Sequence, residues 1–92
     1  MAADSTWRDM FSNWPAAIPQ RGIVVNAQGE TIPFKGFMTR DETLLLERTN
    51  PDPLGSRFIL LRIDTIAVLK LIDPLKPEVF MELGFQGELS GT

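Results

Sequence analysis

The chain has 92 residues, a formal net charge of −3 at pH 7 and an apolar fraction of 43%, which predicts one small globular domain and excludes a second hydrophobic core. It contains no Cys, His or Tyr, so disulfides, thiolate or imidazole metal sites and Cys or His nucleophiles are excluded. The acidic balance also disfavours a protein that binds polyanions through bulk charge.

The N-terminal residues lack the cationic start and the apolar run of a signal peptide. The longest apolar runs are also far shorter than the roughly 20 residues that span a bilayer. We therefore expect a cytoplasmic protein with no membrane partner.

A short helix is predicted over residues 4–14. Trp7, Met10, Phe11 and Trp14 recur at helical spacing and form one apolar stripe, and Pro15 ends the helix because proline disfavours helical geometry at the preceding residue. The stripe is expected to cover the core. The alternative is an exposed aromatic docking surface.

Five strands are predicted within residues 21–72. In the second strand Ile32, Phe34, Gly36 and Met38 alternate with the residues between them, which predicts that these four positions lie on one face of the strand. Pro33 has no N–H to donate, so this part of the strand is expected to be an edge or to carry a bulge. Gly36 permits the sharp bend that a small barrel needs.

The fourth and fifth strands, residues 58–63 and 66–72, are apolar on both faces. One barrel has a single interior, so the second apolar face needs a cover. The N-terminal helix, the C-terminal tail or a neighbouring subunit could supply it.

Beyond the strands, Pro77 and Gly84 delimit a short predicted helix, and residues 87–92 are expected to form a disordered tail. The chain is thus predicted to be one mainly β domain, residues 1–86. Its core is a small, strongly bent five-stranded antiparallel barrel with an N-terminal helix and a short C-terminal helix or tail.

The strand residues also follow a recognisable order. An apolar strand, a glycine, a second strand with another glycine, an aspartate and a leucine-rich strand follow one another at Val24, Val25, Gly29, Gly36, Asp41, Leu44 and Leu46. Residues 60–69 (LLRIDTIAVL) then give an apolar pair, an arginine and a further apolar run. With a helix before five short strands, this order resembles the Sm-like barrels (the Sm, Lsm and Hfq proteins), and SH3-like barrels share much of it. The resemblance covers residues 4–72 and implies RNA binding through Asp41 and Arg62.

The sequence departs from that family where the family binds RNA. No Asn follows Asp41, Ile63 replaces the glycine after the motif's arginine, and the turn between strands two and three has no aromatic residue. Base recognition needs a flat group for stacking and polar groups that read base edges. RNA binding is therefore expected to be weak, and Arg62 has the alternative role of an ion pair with Asp64 or Glu47. A basic patch would arise only if five residues converge: Arg21, Lys35, Arg40, Arg48 and Arg57.

The remaining chemistry is sparse. Carboxylates are the only abundant acid–base groups, and no calcium-loop or phosphate-loop motif is present, so no catalytic residue, cofactor or metal is predicted. The leading hypothesis is a non-enzymatic structural or protein-interaction module that binds copies of itself, with another protein as a further candidate partner. The alternative is an Sm-like RNA-binding protein. The predicted oligomer interface comprises Ile59, Leu61, Ile66, Val68 and Leu69.

Overall fold

The computed structural model describes residues 6–90. The elements in chain order are α1 (Thr6–Ser12), β1 (Gly22–Asn26), β2 (Thr31–Arg40), β3 (Thr43–Arg48), β4 (Phe58–Arg62), a 3-10 turn (Ile63–Thr65), β5 (Ile66–Lys70) and α2 (Pro77–Glu82). Residues 4 and 5 of the predicted first helix, and residues 91 and 92 of the predicted tail, lie outside the described part of the chain. The mainly β fold with a helix at each end is confirmed.

The five strands form one antiparallel sheet in the order β4-β3-β2-β1-β5. This sheet is open, with β4 and β5 as its two edges, where a closed barrel was expected. The second strand is central, since β2 pairs with β1 on one side and β3 on the other. The edge alternative for Pro33 is therefore wrong, while the bulge alternative is confirmed by the register shift between Phe34 and Gly36.

The bulge reverses which side chains of β2 face inward. Phe34 is buried, and Phe37, three residues later, also packs against the core. Met38, which strict alternation assigns to the inner face, is instead 69% exposed. The extra residue at the bulge shifts the period-two pattern by one position.

The core lies between the inner face of the sheet and α1. Eight buried side chains form it: Phe11, Val24, Ile32, Phe34, Leu44, Leu46, Ile63 and Ile66. Phe11, 3% exposed, is the contribution of α1. Its ring lies 5.3 Å from that of Trp14 and 5.0 Å from that of Phe37. The Trp14 Nε1–H donates a hydrogen bond to the Ile18 carbonyl oxygen (2.8 Å). The predicted covering role of the first helix is confirmed.

The second helix begins at Pro77 and stops before Gly84, so the short C-terminal helix predicted between these two residues is confirmed. It ends at Glu82 because Gly84 adopts a left-handed φ of 96°, a conformation that stops a helix at low cost only for glycine. The Gly84 and Phe85 N–H groups donate hydrogen bonds to the Met81 and Phe80 carbonyl oxygens. No residue of α2 is buried.

Candidate functional site

Asp41 and Arg62, the two residues that the Sm-like resemblance assigns to RNA, lie at the same end of the sheet. Arg62 ends β4 opposite Thr43, and Asp41 occupies the turn between β2 and β3 with a φ of 52°. The Ile63 N–H donates a hydrogen bond to the Glu42 carbonyl oxygen (2.9 Å). That bond holds the turn against the end of β4, so the backbones of the two residues lie near each other.

The Arg62 side chain is engaged in an ion pair. Its Nη2–H donates a hydrogen bond to the Asp64 carboxylate (2.7 Å), and the guanidinium is largely exposed. Of the two partners predicted from the sequence, Asp64 is therefore the correct one. An exposed pair of this kind contributes at most about 1 kcal/mol to stability.

The five basic residues considered as a patch do not converge on one site. Arg40 lies at the end of β2 beside the turn, whereas Arg48 lies at the far end of β3, roughly 17 Å away along an extended strand. The Arg48 N–H donates a hydrogen bond to the Arg57 carbonyl oxygen, which groups these two. Arg21 is paired with Asp73. The strand register thus separates Arg40 from the other four, since it places Arg21, Lys35, Arg48 and Arg57 toward the opposite end of the sheet.

The ion pair of Arg21 with Asp73 joins the start of β1 to the segment that follows β5. The Arg21 Nε–H lies 3.0 Å from one Asp73 carboxylate oxygen and 3.1 Å from the other. This hydrogen bonding holds the pKa of Asp73 below its ordinary value and raises the pKa of Arg21. The contact anchors the chain at residue 73.

The carboxylates of residues 6–90 do not gather into a metal-binding cluster. Glu42, in the turn beside Asp41, forms an ion pair with Arg8 of α1. Within residues 6–90 no three acidic residues come together in a way that would hold a metal ion.

Four of the aromatic rings face inward, whereas Phe58 on β4 is 59% exposed. Phe11, Trp14, Phe34 and Phe37 form one cluster, with ring centroids 4.9 to 6.4 Å apart. This cluster belongs to the core side of the sheet. Arg62 is on the opposite face, because Leu61 beside it packs inward, so the clustered rings and the guanidinium cannot contact the same base.

The predicted interface residues divide between the two faces of the sheet. Ile66 is a buried core residue, and Ile59, Leu61 and Leu69 pack partly against the same core. Of the five, Val68 is the exposed one, at 41%. The side chains of the other four therefore pack against the core of the chain itself.

Sequence reasoning missed an apolar groove on the outer face of the sheet, called the outer groove below. Met38, Leu45 and Leu60 lie in one cross-strand row on β2, β3 and β4. Met38 and Leu60 are 69% and 70% exposed. The next row contains Arg40, Thr43 and Arg62, and the groove has a volume of about 410 Å³; it is lined by Met38, Thr39, Arg40, Thr43, Leu45 and Leu60.

A second apolar surface belongs to the C-terminal segment, residues 77–90. The Phe80 and Phe85 rings lie 6.5 Å apart and, with Met81, line a cavity of about 690 Å³ formed within this segment. Met81 and Phe85 are strongly exposed. Pro77 predicts where the segment begins, but only the structure reveals that Met81 and Phe85 remain exposed.

Neither helix of the described region, residues 6–90, has the length and apolar character required to cross a membrane. No protein-family model matches this chain, and no curated protein or solved structure matches it either.

Proposed function

We propose that the protein is a non-enzymatic, homo-oligomeric interaction module. In this proposal, copies associate by pairing the β4 edge of one subunit with the β5 edge of the next. The observation that carries it is the open sheet, in which β4 and β5 each have a neighbouring strand on one side only. Such edges pair readily with another chain unless they are shielded.

Side chains next to both edges support this assembly. Phe58 and Leu60 on β4 and Val68 on β5 are exposed apolar residues. Water contact at such surfaces is unfavourable by about 25 cal/mol per Å². A neighbouring strand along each edge would cover part of this area in addition to satisfying the backbone.

Pairing of β4 in one copy with β5 in the next would cover both edges of the sheet in every copy. If β4 paired only with β4, β5 would remain open, and the reverse also holds. A head-to-tail arrangement uses both edges in every copy, and a closed ring of this type leaves no edge exposed. The order of a helix before five antiparallel strands is also the order that the Sm-like resemblance implies, and we include a bent, Sm-like barrel architecture in the proposal.

The test is the solution mass by light scattering. We expect a multiple of the 10.3 kDa chain mass that persists on dilution to low micromolar concentration. Val68→Lys should dissociate the assembly, because a lysine at an edge opposes strand addition. Leu54→Lys is the matched control, since Leu54 lies in a loop and is 96% exposed. A 10.3 kDa species at high concentration would refute the proposal.

A second candidate function is RNA binding, favoured by one observation. Arg40 and Arg62 flank Thr43 on the outer face at the same end of the sheet, and an assembly would repeat this pair in every subunit. Repetition strengthens weak contacts through effective concentration. Against it stand the Arg62–Asp64 ion pair and the net charge of −3.

A titration with oligonucleotides tests this candidate. Uridine-rich and adenine-rich oligonucleotides, titrated at physiological salt, should bind wild type with a dissociation constant no tighter than about 10⁻⁶ M, as for nonspecific phosphate contacts. Arg62→Ala tests the contribution of the arginine. Submicromolar, sequence-dependent binding that this substitution abolishes would make RNA binding the leading function.

A further inference from the structure

The net charge of the protein is concentrated in its C-terminal segment. All nine Lys and Arg residues and nine of the twelve acidic residues precede Pro77. Glu78, Glu82 and Glu88 follow it without any basic residue. Residues 77–92 therefore carry the whole charge of −3, and the rest of the chain is neutral.

This acidic segment also presents uncovered apolar side chains. Met81 is 63% exposed, Phe85 is similarly exposed, and α2 buries no residue against the sheet. A short helix with so little packing gains little stability on its own. Its apolar and acidic side chains would be complementary to a surface that is apolar and flanked by positive charge.

The outer groove has that character. Met38, Leu45 and Leu60 form its apolar wall, and Arg40 lies at its end. Arg40 has no ion-pair partner within residues 6–90, so its charge is available to a carboxylate. We propose that the C-terminal segment of one copy docks in the outer groove of the neighbouring copy, an inference that rests on the head-to-tail assembly proposed above.

The position of the segment in the chain favours the neighbour over its own subunit. Within one chain, β5 and β4 are opposite edges of the sheet, and the groove covers β2, β3 and β4. When β5 pairs with the β4 of the next copy, the segment follows a strand that adjoins the groove of that copy, because β4 forms one side of the groove. Residues 74–76, which follow the Arg21–Asp73 anchor, span about 10 Å when extended, twice the spacing of adjacent strands.

Disulfide trapping tests this docking directly, because the chain has no cysteine of its own. Full-length Leu60→Cys and Met81→Cys are mixed in equal amounts and oxidised, so that any Leu60–Met81 cross-link joins two chains. Leu54→Cys mixed with Met81→Cys is the control, since Leu54 is an exposed loop residue. Docking raises the local thiol concentration from about 10 μM to about 1 mM, and we expect the groove pair to form on the order of a hundredfold faster than the control pair.

Two further measurements separate the possible failures. If light scattering shows an assembly but the groove pair forms no faster than the control, docking is refuted while the oligomer stands. If the mixture is monomeric, the head-to-tail assembly is refuted and the docking with it. A variant that carries both cysteines in one chain, diluted into excess wild type, should remain reduced; rapid closure within the chain would assign the segment to its own groove and overturn the proposal.

The contribution of the Arg40 charge to docking is tested separately. Arg40→Glu places a negative charge where the acidic segment would dock, and it should slow the Leu60–Met81 cross-link while leaving the assembly mass unchanged. Arg57→Glu is the matched control, because Arg57 is an exposed arginine outside the groove. Equal rates in the two charge variants would contradict a role for Arg40.

Discussion

Gly22 lies at the start of β1, where the backbone of β5 passes very close. A Cβ built at this position would be 2.6 Å from the Lys70 carbonyl oxygen, well inside van der Waals contact. The obstacle is backbone in a paired strand and cannot swing aside. We expect Gly22→Ala to lower the free energy of unfolding by about 1–3 kcal/mol, as overpacking typically does, measured by urea denaturation.

Gly36 is the matched control for that substitution. A Cβ there would lie 2.9 Å from the Glu47 Oε1 atom, which is the flexible end of a side chain. Glu47 can rotate away, so we expect Gly36→Ala to change the free energy of unfolding by no more than about 0.5 kcal/mol. Equal losses in the two alanine variants would contradict the close approach at Gly22.

The Arg21–Asp73 ion pair predicts part of the acid sensitivity of the fold. Because Arg21 lowers the pKa of Asp73 in the folded state, the ionised carboxylate stabilises the fold above the ordinary aspartate pKa. This contribution is lost as the pH falls through the lowered pKa. Asp73→Asn should therefore flatten the loss of the urea midpoint as the pH falls below the ordinary aspartate pKa. Asp52→Asn is unsuitable as a control because Asp52 accepts hydrogen bonds from the Leu54 and Ser56 N–H groups.

A better control for the acid titration is Glu78→Gln, in an exposed position of α2. It removes one carboxylate without disturbing the Arg21 contact. If Glu78→Gln and Asp73→Asn flatten the profile equally, the ion pair is not responsible for the effect.

At the scale of single elements, the contact of α1 with the sheet depends on Phe11. This ring is the buried residue of the helix and touches both Trp14 and Phe37. Phe11→Ala leaves a cavity in the core and should cost about 3–5 kcal/mol of unfolding free energy. Ser12→Ala, at an exposed position of the same helix, should be nearly neutral. Tryptophan emission and far-UV circular dichroism report the two transitions.

The helix and the strands could be predicted from the sequence because their signals are local. Helical spacing of Trp7, Phe11 and Trp14 and the turn residues between strands specify elements without reference to distant contacts. The inward face of a strand is different when both faces are apolar. In β4, pairing with β3 decides that Ile59 and Leu61 face inward while Leu60 faces outward.

The outer groove was missed for a related reason. A regular alternation through β2 assigns Met38 to the core, and the bulge between Phe34 and Gly36 changes that assignment. Pro33 indicated that a bulge could occur, but its position depends on the register with β3. The sequence therefore predicts a bulge in β2, but it does not predict that the bulge turns Met38 outward.

At the scale of the whole molecule, the proposed self-association would link stability to protein concentration. A fold that gains contacts from neighbouring copies has a melting temperature that rises with concentration. We expect this dependence for wild type and for Leu54→Lys. In Val68→Lys the melting temperature should be independent of concentration, and calorimetry across a range of concentrations measures the difference. A concentration-independent wild type would contradict the assembly.

Sequence patterns alone could not predict which two strands form the edges of the sheet. Alternation identifies strands, but the neighbour of each strand is determined by contacts between distant residues. The sheet order β4-β3-β2-β1-β5 includes one such distant pairing, β1 with β5. It is this pairing that leaves β4 and β5 as the edges.

The pairing of β1 with β5 also has a consequence for the order in which the sheet forms. β1 to β4 are consecutive hairpins, whereas Val24 meets Leu69 only after closure of a loop of roughly 45 residues, and the entropy of that closure must be lost before the contacts form. We expect β5 to join last during folding and to detach first in the native state. Its amides should then exchange with solvent deuterium faster than those of β2, and oligomerisation should slow that exchange at β5 more than elsewhere. The strand that completes the subunit would thus be the one whose attachment is most strengthened by a neighbour.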